Sequence, residues 1–132
     1  MSEYHIDLDP AHSVIRLTVT AETMTPELAA DIYKRLKGIS TSGGPYAAIY
    51  DLTMVKHTPI PTDTVRTYAR RNPSVPMGRP HVVVAEAPTI YGLARLFEIC
   101  REHVYGLFET VHTLEEAYKI CEVRPEDFTQ RL

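Results

Sequence analysis

Apolar and polar residues alternate with a period of two through Val14-Ile15-Arg16-Leu17-Thr18-Val19-Thr20, which predicts a half-buried, β-branched strand. Tyr4-His5-Ile6-Asp7-Leu8 alternates more crudely, and Asp9-Pro10-Ala11-His12 between them has turn chemistry, so the pair reads as a hairpin. The period then changes. Thr25-Pro26-Glu27 starts a helix with a Thr cap and Pro at the first helical position, and Leu28, Ile32, Leu36 and Ile39 form its inward stripe. Gly43-Gly44-Pro45 closes the connection to a short apolar strand, Tyr46–Tyr50. Thr62 is expected to cap a second helix, with Val65, Tyr68 and Ala69 inward and an end before Pro73. His81-Val82-Val83-Val84-Ala85 is continuously apolar, as strands covered on both faces are. Pro88-Thr89 opens a third helix with Ile90, Leu93, Phe97, Cys100 and Val104 on one stripe. Leu107–Val111 is the last strand, and Thr113-Leu114-Glu115-Glu116 is a capping box for a fourth helix with Leu114, Ala117 and Cys121 inward.

The order β-β-α-β-α-β-α-β-α holds three β-α-β units, whose right-handed crossovers demand a largely parallel sheet. The expected fold class is therefore α/β, with a central mixed, mostly parallel five-stranded sheet and four main flanking helices. One domain spans 1–132, with its core at about 4–122 and a polar tail at 123–132.

Composition narrows the function classes. At 44% hydrophobic and 23% charged residues the chain is globular and not disordered. With 14 Lys and Arg against 17 Asp and Glu, the net charge is −3, which disfavours binding duplex nucleic acid over a whole face. The longest apolar run, Val82–Ala85, is too short to span a bilayer. Met1–His5 lacks an apolar core and does not read as a signal peptide, so a cytoplasmic protein with reduced thiols is expected. Cys100 and Cys121 both fall on apolar helical stripes and read as buried and inert.

Asp51-Leu52-Thr53-Met54-Val55, directly after a strand, is similar to the Asp-Leu-Ser-x-Val that opens the signature of STAS domains, and the element order matches the SpoIIAA-like fold these domains share. Gly78-Arg79-Pro80, then Tyr91-Gly92-Leu93-Ala94-Arg95-Leu96-Phe97, then the Thr-Leu-Glu-Glu-Ala helix resemble small stand-alone bacterial STAS-like proteins. The resemblance covers residues 4 to 122. It implies a non-enzymatic regulatory or protein-interaction module. The phosphorylatable Ser of the antagonists in that family falls at Ile60, between Pro59 and Pro61, so no phosphorylation is expected there, with Thr58, Thr62 or Thr64 as the substitutes.

In an open parallel sheet, ligands bind beyond the carboxyl ends of the strands. That edge gathers Thr23, Thr53, His57, Thr58, Thr89, Tyr91 and His112, the candidate site for a small anionic or lipidic ligand. The plainer reading is that the threonines cap their own turns and helices. Residues 52 to 85 carry Lys56, Arg66, Arg70, Arg71 and Arg79 against one acid, Asp63. Arg66, Arg70 and Arg79, with Tyr91 and Arg95 on the outer stripe of the third helix beside Glu98 and Glu102, form a candidate interaction surface for a protein partner or a second copy in a homodimer. Asp51 is expected to bond backbone N–H groups in the turn after its strand. No metal, cofactor or catalytic residue is assigned: the six histidines show no ligand spacing, and no nucleophile motif is present. The expected function is thus a regulatory or interaction module open to gating by a ligand at the sheet edge. The alternatives are a carrier of a small molecule or lipid, as in lipid-transfer domains of the wider fold group, and a small enzyme without a recognisable motif. A closed apolar pocket on the order of 300 Å³ or more would favour the carrier, and a titratable pair within hydrogen-bond reach in a cleft would favour the enzyme.

Overall fold

The computed structural model describes residues 2–71, 78–105 and 108–132. Strands β1 (Tyr4–Asp9) and β2 (Val14–Val19) pair antiparallel, with Asp9 opposite Val14. Asp9 builds the turn: its Oδ1 accepts from the N–H groups of Ala11 (3.0 Å) and His12 (3.1 Å), and its Oδ2 pairs with His12 Nδ1 at 2.7 Å. Helix α1 (Pro26–Ser42) follows, with Thr25 accepting from Leu28 N–H at 3.1 Å and Pro26 in the first turn, as its sequence predicts. Then come β3 (Ala47–Asp51), α2 (Thr62–Arg70), β4 (His81–Val84), α3 (Pro88–Tyr105), β5 (Phe108–Val111) and α4 (Leu114–Cys121). Thr113 caps α4 by accepting from Glu116 N–H at 3.2 Å.

With a last short strand β6 (Gln130–Arg131), the sheet order is β5-β4-β3-β2-β1-β6, in which β2, β3, β4 and β5 run parallel and β1 is antiparallel to both its neighbours. Because β2 to β5 are added in one direction, crossovers of one hand put α1, α2 and α3 on the same face. Leu28, Ile32 and Leu36 of α1 and Ile90 of α3 meet Ile15, Leu17 and Val19 there. The other face carries α4 alone, with Ala117 and Cys121 against Val14, Ala47, Ile49, Val82, Val84 and Val111. Every residue of β4 is buried. Among the described residues no helix is long and apolar enough to cross a membrane.

Four expectations change. The sheet has six strands and not five. Gln130–Arg131 of the polar tail pair with β1 as β6, and Leu132 N–H donates to Ile6 C=O at 2.9 Å, so the tail returns to the far edge of the sheet instead of trailing from it. Thr62 is the first residue of α2 and does not cap it; Pro61 stands at that place, without a side-chain bond. On α3 the deeply buried positions are Ile90, Ala94, Glu98 and Arg101, while Leu93, Phe97 and Cys100 are half-buried. The buried face also takes in two charged residues, Glu98, held by Arg95, and Arg101, held by carbonyls of α2, while Leu93 and Phe97 face the space between the helices and the sheet. Glu98 therefore leaves the outer stripe, and Cys100 is not fully buried. Pro73, Leu107 and the side chains of Glu102, His103 and Val104 lie outside the described residues.

Cys121 is buried, and burial pushes its thiol up to about 11, Arg79 drawing it back slightly and Glu109 reinforcing the rise. Since the thiolate is the nucleophile, iodoacetamide at pH 8 should label Cys121 about a hundredfold more slowly in the folded protein than in urea. Peptide mapping of the labelled protein measures this, and equal rates in the two states would overturn the burial.

Candidate functional site

Helix α2 lies along α3, whereas α1 stands off from both. Helices in direct contact sit about 8–10 Å apart. The gap between α1 and the α2–α3 pair holds a cavity of about 280 Å³. Its floor is the helix-covered face of the sheet, where Leu17, Tyr50, His81 and Val83 point up. Its walls are Ile32, Tyr33 and Leu36 of α1, Val65 and Tyr68 of α2, and Leu93, Ala94, Phe97 and Arg101 of α3. Met24, Val55, Thr58 and Ile60 close the end under the strand-edge loops.

The lining is mostly apolar, with its polar groups at three places. On the floor, the Tyr50 hydroxyl and His81 Nδ1 are hydrogen-bonded at 2.9 Å. Burial raises the Tyr50 phenol well above its ordinary value, and the Arg101 charge draws it partly back, so Tyr50 is a neutral hydrogen-bonding group at physiological pH. In the wall, Arg101 is only 3% exposed and donates Nη1 to the carbonyls of Ala69 (2.9 Å) and Tyr68 (3.4 Å), the last turn of α2, with its guanidinium over the Phe97 ring at 5.2 Å. A buried cation is tolerable there because a helix C-terminus presents carbonyls lacking intrahelical partners. At the rim, the exposed Arg71 guanidinium lies over the Tyr33 ring at 3.9 Å and the Tyr68 ring at 4.6 Å, joining α1 to the end of α2.

Of the candidates drawn from the strand-end rule, only Thr58 lines this cavity, and its hydroxyl donates to Met24 C=O at 2.7 Å while accepting from Ile60 N–H at 3.2 Å. Thr23 and His57 form an isolated β-bridge that zips two edge loops together, with Lys56 and His57 N–H both donating to Glu22 C=O. Thr53 gives its N–H and its hydroxyl to Asp51 Oδ1 at 3.0 and 2.7 Å, the turn expected of Asp51. Tyr91 and His112 stack with centroids 4.0 Å apart, and Thr89 is exposed on the first turn of α3. Ile60, at the place of the family's phosphorylatable Ser, faces the cavity, and Thr62 is exposed.

Arg66 pairs with Asp63 at 3.1 Å, Arg95 pairs with Glu98, and Arg70 is exposed. Arg79 lies by the opposite strand ends, where it donates to the carbonyls of Ser13 (2.7 Å), His12 (2.9 Å) and Pro45 (3.3 Å) and so ties the hairpin turn to the start of β3. Sequence reasoning missed Tyr50, His81, Arg71 and Arg101. A usable signal existed for the first two: Tyr50 and His81 occupy alternating positions on neighbouring strands that face the helices, where an apolar residue is the default.

Two other places are less suited to a ligand. Ligand atoms of Asp9, His12 and Asp127 lie within 4.8 Å of one another, but these groups already serve the turn at Asp9 and the cap of Arg124 N–H (2.9 Å). A more polar hollow of about 740 Å³ beside β1 is walled by charged groups such as Glu3, Glu27, Asp31, Arg35 and Arg131, which suits water better than an organic ligand. Comparison of the chain with family models, curated proteins and solved structures finds no match to any of them.

Proposed function

We propose that this chain is a STAS-like, non-catalytic module that binds one small, largely apolar molecule between its helices and its sheet. The fold part of the reading rests on the element order through α4 and on the parallel ladder of β2 to β5. The binding part rests on one observation, the apolar cavity of about 280 Å³ with a Tyr50–His81 polar pair on its floor. Such a pocket, mostly apolar with a few placed polar groups, is the usual form of a small-molecule site. Dry cavities of about 150 Å³ take one benzene, so this one suits a body of roughly ten to fourteen non-hydrogen atoms. At usual ligand efficiencies that corresponds to a dissociation constant on the order of 100 µM. The size favours a carried or sensed metabolite over a long-chain lipid. A bound molecule would reach partners through α1, since filling the gap fixes that helix against α2 and α3.

The test is an NMR titration with 1-naphthol, set beside the variant Ala94→Phe. Ala94 lines the cavity from α3, so a phenyl ring there occupies the ligand's space. In the wild type, saturable shifts should centre on Tyr50, His81, Val83 and Ala94. The variant should lose them while keeping its stability within about 1 kcal/mol, because the ring fills a void instead of displacing neighbours. Shifts that do not saturate at millimolar ligand, or that survive the substitution, would defeat the reading.

A further inference from the structure

Granting that the cavity binds a small molecule, its rim carries information about the charge of that molecule. Among the described residues lining it there are two arginines and no carboxylate. Arg101 directs Nη1 to the carbonyls that end α2, a structural task. Arg71 stands differently. The ion pairs of the described residues take up Arg16, Arg66, Arg95, Arg124 and Arg131, and none of them involves Arg71. Its described side-chain contacts are the faces of Tyr33 and Tyr68. The two rings fix where the guanidinium sits at the rim, and among the described residues no hydrogen bond or ion pair takes up its fork of coplanar N–H donors, which matches a planar anion. Lys37, over the Tyr33 ring at 5.8 Å, adds positive charge near the same rim of a chain whose net charge is −3.

We infer that the ligand is an organic monoacid, a compact ring or branched hydrocarbon ending in one carboxylate, with its body in the cavity and its carboxylate on the edge of Arg71. A carboxylate matches the fork in a bidentate pair. At the rim it keeps part of its hydration, so the desolvation that penalises a buried charge is largely avoided. The hydrocarbon body meets Leu36, Val83 and Phe97 within. A neutral ligand would gain the same burial and leave the fork unused.

The inference rests on the binding reading, and calorimetry with a matched pair of probes separates the two. 2-Naphthoate and 2-naphthamide have nearly the same shape and differ in charge. The wild type should bind the naphthoate about tenfold more tightly than the amide, the scale of one charge-assisted bidentate contact. Arg71→Gln should erase that preference while leaving the amide's affinity within about twofold, so amide binding also reports that the variant is folded. Equal binding of both probes to the wild type would overturn the monoacid inference and leave the cavity reading standing. Loss of both probes in Arg71→Gln would make Arg71 a structural strut, which also overturns it. Binding of neither probe to the wild type would remove the cavity reading itself.

Discussion

Replacing Arg101 by methionine should destabilise the protein by about 3 kcal/mol, which for a chain of this length lowers the melting temperature by roughly 10 °C. Methionine keeps most of the stem's volume, so the loss isolates the guanidinium. In the native structure its Nη1 donates to Ala69 C=O at 2.9 Å and to Tyr68 C=O at 3.4 Å. Ala69 is fully buried, so water cannot readily replace the lost donor at its carbonyl. A buried acceptor left unsatisfied costs about 1–3 kcal/mol, and removing a cation from a helix C-terminus adds about 0.3–2 kcal/mol. Denaturant unfolding measures the change, and lysine at this position should recover part of it. A loss below about 1 kcal/mol would mean that Arg101 does not cap α2.

Asp7→Ala should cost about 2–3 kcal/mol and release the C-terminal strand. Asp7 is only 5% exposed and faces the α4 side of the sheet. Its Oδ1 accepts from Arg131 Nε at 2.6 Å and its Oδ2 from Arg16 Nη2 at 3.5 Å. Arg16 in turn donates to the Tyr118 hydroxyl at 2.7 Å and lies over the Phe128 ring at 4.5 Å, while its buried Nε has no hydrogen-bond partner among the described residues. Removing the carboxylate leaves that half-buried guanidinium without its counter-charge, which supplies most of the loss. The Arg131 pair contributes less, because its guanidinium side is 63% exposed and screened by water. It does hold β6 in register, so the Leu132 amide, bonded to Ile6 C=O, should exchange with solvent at least about tenfold faster in the variant. Unchanged exchange would show that Phe128 and the backbone pairing hold the tail without Asp7.

The elements legible in the sequence are those set by neighbours a few residues apart. The hairpin, the caps at Thr25 and Thr113, the turn at Asp51 and the buried run of β4 each depend on contacts within one turn or one pleat, and periodicity reports such contacts directly. Their order then limited the topology, because same-handed crossovers allow few ways to lay out β2 to β5. A two-residue strand has no period to read, so β6 was invisible: it exists because α4 carries the tail across the sheet to an open edge beside β1.

The same limit governs the site. The strand-end rule selected residues that the structure uses to close loops, such as Thr23 with His57 and Thr53 with Asp51. Arg71 meets Tyr33, and Arg101 meets the end of α2, through partners some thirty or more positions away, so neither could be told from an ordinary surface arginine of an amphipathic helix. The sequence by itself determined the fold class, the element order and most of the apolar faces, since those follow from local spacing. Only the tertiary structure decided that α1 stands off from α2 and α3, and hence that a cavity exists, because an empty volume is a mismatch between distant surfaces and no stretch of chain encodes it alone.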